Sequence, residues 1–237
     1  MATRALTRPG GPIATRRLHF IWLADCSGSM TEDGKIQALN HAIREALPHM
    51  RQVADDNPNA TVLVRTIAFS SGAVWHVAAP TPVEEFRWTD LRAEGVTDMG
   101  KALRMVAAEL RSLASTGERM LPPVLVLVTD GQPTDDFEGG LQALLSEPVG
   151  RKAVRIAIAI GDNADQEILQ RFIDDADRRP LQANNPETLV GYIKWASTAV
   201  LQAASSPVSQ PATVGLAGSG QVPIPKPPPP TTDGHVW

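Results

Sequence analysis

A single cysteine, Cys26, stands among the 237 residues. That excludes an intrachain disulfide framework and any zinc module built on cysteine pairs. No apolar stretch approaches the ~20 residues of a membrane-spanning helix, and the first residues lack the apolar centre of a secretory signal. A cytoplasmic protein is the expectation. Net charge is −4, so no basic field argues for nucleic acid. The five histidines are scattered without ligand spacing, and no internal repeat is present.

What is there is an alternation of apolar runs and amphipathic stretches. The first residues carry Arg4, Arg8, Arg16 and Arg17 with no acid and no periodicity, which reads as a flexible basic N-terminus over 1–16. Leu18 to Ala24 is a buried first strand. From Lys35, apolar residues at Ile36, Leu39, Ile43, Leu47 and Met50 follow helical spacing, with Pro48 expected to kink or shorten the helix. Thr61–Phe69 and Ala73–Ala79, joined by Ser70-Ser71-Gly72, predict an antiparallel hairpin at a sheet edge. Residues 80–96 read as an irregular connection. A second helix follows on Met99, Leu103, Val106, Leu110 and Leu113.

Val124–Val128 is apolar without alternation, as expected of a central parallel strand covered on both faces. A short helix is expected over Glu138–Leu145, a strand over Val154–Ile160, a helix over Asp165–Ile173 and an extended piece at Arg179–Gln182. The last helix starts with Asn185 as N-cap and Pro186 behind it. After Ser205 the composition changes, and eight of the twenty prolines lie in 206–237. Such a segment buries too little apolar area to offset its ordering entropy. The prediction is an α/β domain over 17–204: a doubly wound, mostly parallel sheet with one antiparallel edge strand and helices on both faces. A proline-rich disordered tail over 205–237 follows it.

Three stretches carry chemistry. The first strand closes on Asp25-Cys26-Ser27-Gly28-Ser29, a carboxylate followed by hydroxyls at every second position. Thr97 stands before the second helix, and Asp130 ends the central strand. Ligands of open α/β sheets bind outside the carboxyl ends of the strands, where these residues can converge. A mixed set of neutral and charged oxygens suits a hard cation such as Mg²⁺, with Mn²⁺ as its substitute. Ser27, Ser29 and Thr97 would touch the cation without cancelling its charge, while Asp25 and Asp130 orient hydroxyls and waters. Asp98, Asp135 and Asp136 border the face as candidates for partner contact, with helix capping the alternative for Asp98 and a solvated charge run that for Asp135 and Asp136. Pro225-Lys226-Pro227-Pro228 contains a Pro-x-x-Pro pattern, and Trp237 behind it reads either as part of a peptide that docks on a partner or another copy, or as the end of a passive linker.

Asp25, Ser27, Ser29, Thr97 and Asp130, in that order and at strand ends, resemble the metal-ion-dependent adhesion site of the von Willebrand factor A domain. The resemblance covers residues 18–203 and implies Mg²⁺ with an open position that accepts a partner's Glu or Asp. The stretches Asp25–Met30, Gly95–Leu103, Thr129–Asp135 and Lys194-Trp195 are similar to small bacterial cytoplasmic A domains of the tellurium-resistance TerY type. That similarity implies a stress-response or defence setting beside a protein kinase and a PP2C-like phosphatase. The cysteine-rich zinc module of some such relatives has no counterpart here. A second setting within the binding class is an A-domain subunit of a chelatase-like AAA+ ATPase assembly. A phosphohydrolase of haloacid-dehalogenase type needs a second acid where Ser27 stands, and no Gly-x-Ser-x-Gly elbow supports a serine hydrolase. The expectation is a binding module and not an enzyme.

Overall fold

In the computed structural model, which describes residues 15–57, 60–205, 222–231, 234, 236 and 237, β1 (Arg16–Asp25) is buried from Leu18 to its last residue. The proposed flexible segment 1–16 and the start of the tail lie almost entirely outside the described residues. Around β1 stand β2 (Ala60–Ser70), β3 (Gly72–Pro82), β4 (Val124–Thr129), β5 (Val154–Ile160) and β6 (Leu181–Ala183). The six strands order as β3-β2-β1-β4-β5-β6, all parallel except β3, which pairs antiparallel with β2. This is the doubly wound, mostly parallel sheet expected, with its one antiparallel edge strand.

Alternation along the central strands separates two cores. Phe20, Trp22, Val124, Val126, Ile156 and Ile158 face α1 (Lys35–Asp55) and α6 (Pro186–Trp195). Ile21, Leu23, Leu125, Leu127, Ala157 and Ala159 face α2 (Met99–Ser115), α3 (Phe137–Ser146) and α5 (Gln166–Ile173). Both faces are covered, which is why these strands are apolar without alternation.

Three local features differ from expectation. α1 continues through Pro48 for 21 residues instead of ending there. Pro48 and Arg44, whose carbonyl loses its donor, both lie on the exposed face, so water replaces the missing bond. α4 (Pro148–Arg151), too short to show a periodicity, follows α3 directly. Beyond α6 the chain passes through a π turn at Ala196–Val200 into α7 (Leu201–Ser205). There Ser197 Oγ and Thr198 Oγ1 donate back to the carbonyls of Ile193 and Lys194, at 2.6 and 2.7 Å.

The proline-rich tail expected over 205–237 is described only in part. Residues 222–231, 234, 236 and 237 lie against the domain, and Ile224 and Trp237 pack on the core beside α1 and α6. An extended proline segment has little conformational freedom left to lose, so a few apolar anchors suffice to dock it. Composition registered the lack of apolar bulk but not that reduced entropy.

The chain runs from β1 outward to β2 and β3, then returns to place β4 on the other side of β1. The strand order therefore reverses between β1 and β4. Asp25 and Thr129, the last residues of those two strands, stand at that switch point, where open sheets leave a crevice.

Candidate metal centre

β1 ends on Asp25, which has no exposed surface. Its Oδ1 accepts from the backbone of Ser27 at 2.7 Å, and Oδ2 accepts from the Thr129 hydroxyl. Burial pushes the Asp25 carboxyl up to about 6, against the lowering effect of the Thr129 and Ser27 hydrogen bonds. Next, a tight turn at Gly28–Gly34 turns Ser29 back over the strand end. Ser27 Oγ and Ser29 Oγ lie 3.0 Å apart, and Ser29 Oγ donates to Asp130 Oδ1 at 2.7 Å.

Thr97 arrives from the connection before α2. That connection is stitched to the first turn: Gly28 N donates to Gly95 O at 2.9 Å, and Glu94 N to Cys26 O at 2.8 Å. A Cβ added at Gly28 would lie 3.2 Å from Gly95 O, so a side chain there would crowd this approach. Thr97 is held by Thr134, its N–H donating to Thr134 Oγ1 at 3.0 Å and its carbonyl accepting from Thr134 N at 2.9 Å. Seen from Gly131, a Cβ would sit 3.8 Å from Thr97 Oγ1 and 3.9 Å from Ser29 Oγ. The structure thus brings Ser27, Ser29, Thr97 and Asp130 together around one point, with Asp25 behind them.

The donor set fits a hard divalent cation. It consists of three hydroxyls and two carboxylates, and among the described residues no cluster of three or more His, Cys, Asp or Glu side chains exists to hold a softer metal. Asp25 and Asp130 spend oxygens on Ser27, Thr129 and Ser29, so they orient the hydroxyls.

Sequence reasoning missed Lys35 and Thr129. Lys35, first residue of α1, is buried, and its Nζ donates to Asp130 Oδ2 at 2.9 Å. Its signal was a lysine at the start of the helix that follows the Asp-x-Ser-x-Ser turn. Thr129 was visible as a hydroxyl at the end of an otherwise apolar strand.

The three acids put forward for partner contact have other duties. Asp98 Oδ2 accepts from Gly72 N at 2.7 Å and from Lys101 Nζ at 2.5 Å, which pins the β2–β3 turn. The Lys101 bond, with the Gly72 amide, holds its carboxyl below the usual range against burial. Asp135 caps α2 from 35 residues away, accepting from Gly100 N and Lys101 N, both at 2.8 Å. Asp136 caps its own helix, accepting from Gly139 N at 2.9 Å, and pairs with Arg104. Gly139's amide and Arg104 hold its carboxyl low. For Asp98 and Asp135 those amides lie far along the chain and leave no local pattern, whereas Asp136 caps its own helix from three residues away. Trp237, the fourth candidate, packs on this chain and donates from Nε1 to Asp33 O at 3.0 Å. Cys26 is buried, and burial with the Asp25 charge pushes its thiol up to about 12.

Among known proteins, the family model described as von Willebrand factor type A domain matches residues 21–193. No curated protein matches the chain significantly. The ArnB paralog VWA2 from Sulfolobus acidocaldarius superposes with a TM-score of 0.55 at 19% identity, over 75% of this chain and 44% of that one. The pilus adhesin SpaC from Lactobacillus rhamnosus GG gives 0.60 at 15% identity, over 79% and 31%. Proximal thread matrix protein 1 from the mussel byssus, with a zinc-occupied MIDAS motif, gives 0.57 at 19% identity, over 81% and 48%. These likenesses concern the fold. The chain spans less than half the length of each of those structures.

Proposed function

The chain belongs to the von Willebrand factor type A family, and from that premise we propose that it is a Mg²⁺-dependent protein-binding module whose partner supplies an acidic side chain to the metal. The observation that carries the reading is the convergence of Ser27, Ser29, Thr97 and Asp130, with Ser29 Oγ held at 2.7 Å by Asp130. A bound cation would supply an electrophilic position open to an anion.

Charge supports the same reading. Asp25 and Asp130 bring two negative charges, and Lys35 returns one positive charge at 2.9 Å from Asp130. A dication in this pocket stays one charge positive, and a partner's Glu or Asp would neutralise it. Hydroxyl ligands leave that charge in place, whereas further carboxylates would quench it. The surroundings suit a protein partner as well. Val96, next to Thr97, and Val74, on the edge hairpin, are two of the three large hydrophobic residues exposed among those described. No second carboxylate stands two residues after Asp25, which disfavours hydrolysis through an aspartyl intermediate and leaves binding as the role.

Among the described residues no helix is long and apolar enough to cross a membrane. Cytoplasmic placement, and a bacterial stress-response or defence setting beside a kinase and a PP2C-like phosphatase, are proposed on the motif similarity alone. An AAA+ assembly is the alternative setting. The experiment is affinity capture on the immobilised full chain with Mg²⁺ or with EDTA, repeated with Asp25→Ala. We expect a bound protein that EDTA and the substitution both release. Equal capture under all three conditions would rule the mechanism out.

A further inference from the structure

The described residues 222–231, 234, 236 and 237 run from the outer edge of β5 to the metal face. Val222 is buried, and with Ile224 it lines a cleft of about 780 Å³ beside Arg155, Ile156 and Ala157. There β5 has no outer neighbour, since β6 pairs only with Ile158–Ile160. Further on, Thr231 Oγ1 lies 2.6 Å from Thr188 Oγ1 and donates to Asn185 Oδ1 at 3.1 Å, at the start of α6. Gly234 O accepts from Asn185 Nδ2 at 3.2 Å. Val236 N donates to Asn184 O at 3.0 Å. Trp237 then reaches the turn that carries Ser29, donating from Nε1 to Asp33 O at 3.0 Å. A Cβ built on Gly161 would lie 3.2 Å from Trp237 Cβ and 3.8 Å from Lys35 Cε, so tryptophan and lysine stem flank the same glycine.

We propose that Trp237 and Lys35 together set the metal affinity of this centre: the strap that ends in Trp237 holds the Lys35 ammonium against Asp130, and that charge opposes a divalent cation. The inference rests on the metal reading above and goes beyond it by naming residues outside the coordinating set. Lys35 Nζ occupies Asp130 Oδ2 and places a positive charge beside the cation's position. Its side chain is only 4% exposed, so the repulsion is weakly screened. With Trp237 removed, the lysine stem becomes free to extend and its head to hydrate. Asp130 then regains a free oxygen, and the site loses one positive charge. Docked strap and bound dication therefore disfavour each other, and by linkage to the same degree. What the strap costs in metal affinity it returns in electrophilicity, because a cation beside Lys35 stays short of negative charge.

The test is titration calorimetry with Mn²⁺ on the full chain, comparing wild type, Trp237→Ala, Lys35→Met and the double variant, each checked by circular dichroism. Trp237→Ala should tighten Mn²⁺ binding about tenfold. Lys35→Met should do the same, and the double variant should add nothing to Lys35→Met. Trp237→Phe keeps an aromatic ring but loses the bond to Asp33, and should fall between wild type and Trp237→Ala. An unchanged or weakened affinity in folded Trp237→Ala, or a full Trp237 effect persisting without Lys35, overturns the inference and leaves the metal reading intact. Absence of Mn²⁺ binding in all variants overturns both.

Discussion

One sheet carries two buried polar clusters of opposite kinds. At the carboxyl ends of β1 and β4, the oxygens of Asp25, Ser27, Ser29, Thr97 and Asp130 crowd together with a single cation, Lys35, among them. Nearer the other end, Arg65 of β2 pairs with Glu109 of α2, and its guanidinium lies 3.7 Å above the Trp75 ring. His19 of β1 stands near that pair, its ring buried, and burial together with the Arg65 charge holds its pKa below the usual value. The Arg65 cluster balances its own charge. The Asp25 cluster keeps an excess of acceptors and of negative charge, and that excess is what the proposed cation would offset.

Substitutions sharpen the contrast, beginning with the largest effect. Ser29→Ala should weaken Mg²⁺ or Mn²⁺ binding by about a hundredfold while leaving the melting temperature almost unchanged, as read by calorimetry on both quantities. Arg65→Ala should do the converse: about 2 kcal/mol of stability lost in urea unfolding, with metal affinity unaltered. A change in metal affinity there would erase the distinction between the clusters.

Asp25→Asn tests the electrostatics of the first cluster. Folding raises this carboxyl to about 6, so between the ordinary carboxylate range and pH 6 the folded chain holds a proton that the unfolded chain has released. Metal-free stability should therefore fall as pH rises through that window, with the penalty complete above pH 6. Asn, neutral at every pH, should remove the slope and raise the metal-free melting temperature while abolishing metal binding. A wild-type melting temperature flat from pH 4 to 7 in EDTA would contradict the assignment. The smallest effect concerns Cys26, whose thiol is buried and raised to about 12. Iodoacetamide at pH 8 should leave it unmodified in the native chain and alkylate it only in denaturant, as mass spectrometry would show.

The order of elements and the sheet class were readable because Val124–Val128 and Val154–Ile160 are apolar without alternation, a pattern that only doubly covered strands require. The five residues proposed as the coordinating set could be picked out because they lie at strand ends, in the turn after β1 or immediately before a helix. The backbone contacts of Asp98 and Asp135 were not readable, for the opposite reason. Their partners are backbone amides of segments far along the chain, such as Gly72 for Asp98 and Gly100 for Asp135. The contacts of Trp237 were hidden in the same way, since nothing near it in sequence announces Asp33 or Gly161.

Local chemistry by itself therefore determined the strands, the helix starts and the candidate oxygen ligands. Asn185 is one such case, capping α6 with Oδ1 at 2.8 Å from Thr188 N. Tertiary structure alone decided which acids are bound to backbone, that Lys35 shares the pocket with Asp130, and that a proline-rich segment returns to the metal face. Caps and strand periodicity act over a few residues and leave a mark in the sequence. An ion pair between positions 35 and 130, or a tryptophan laid over a glycine 76 residues earlier, exists only once the sheet has brought its strand ends together.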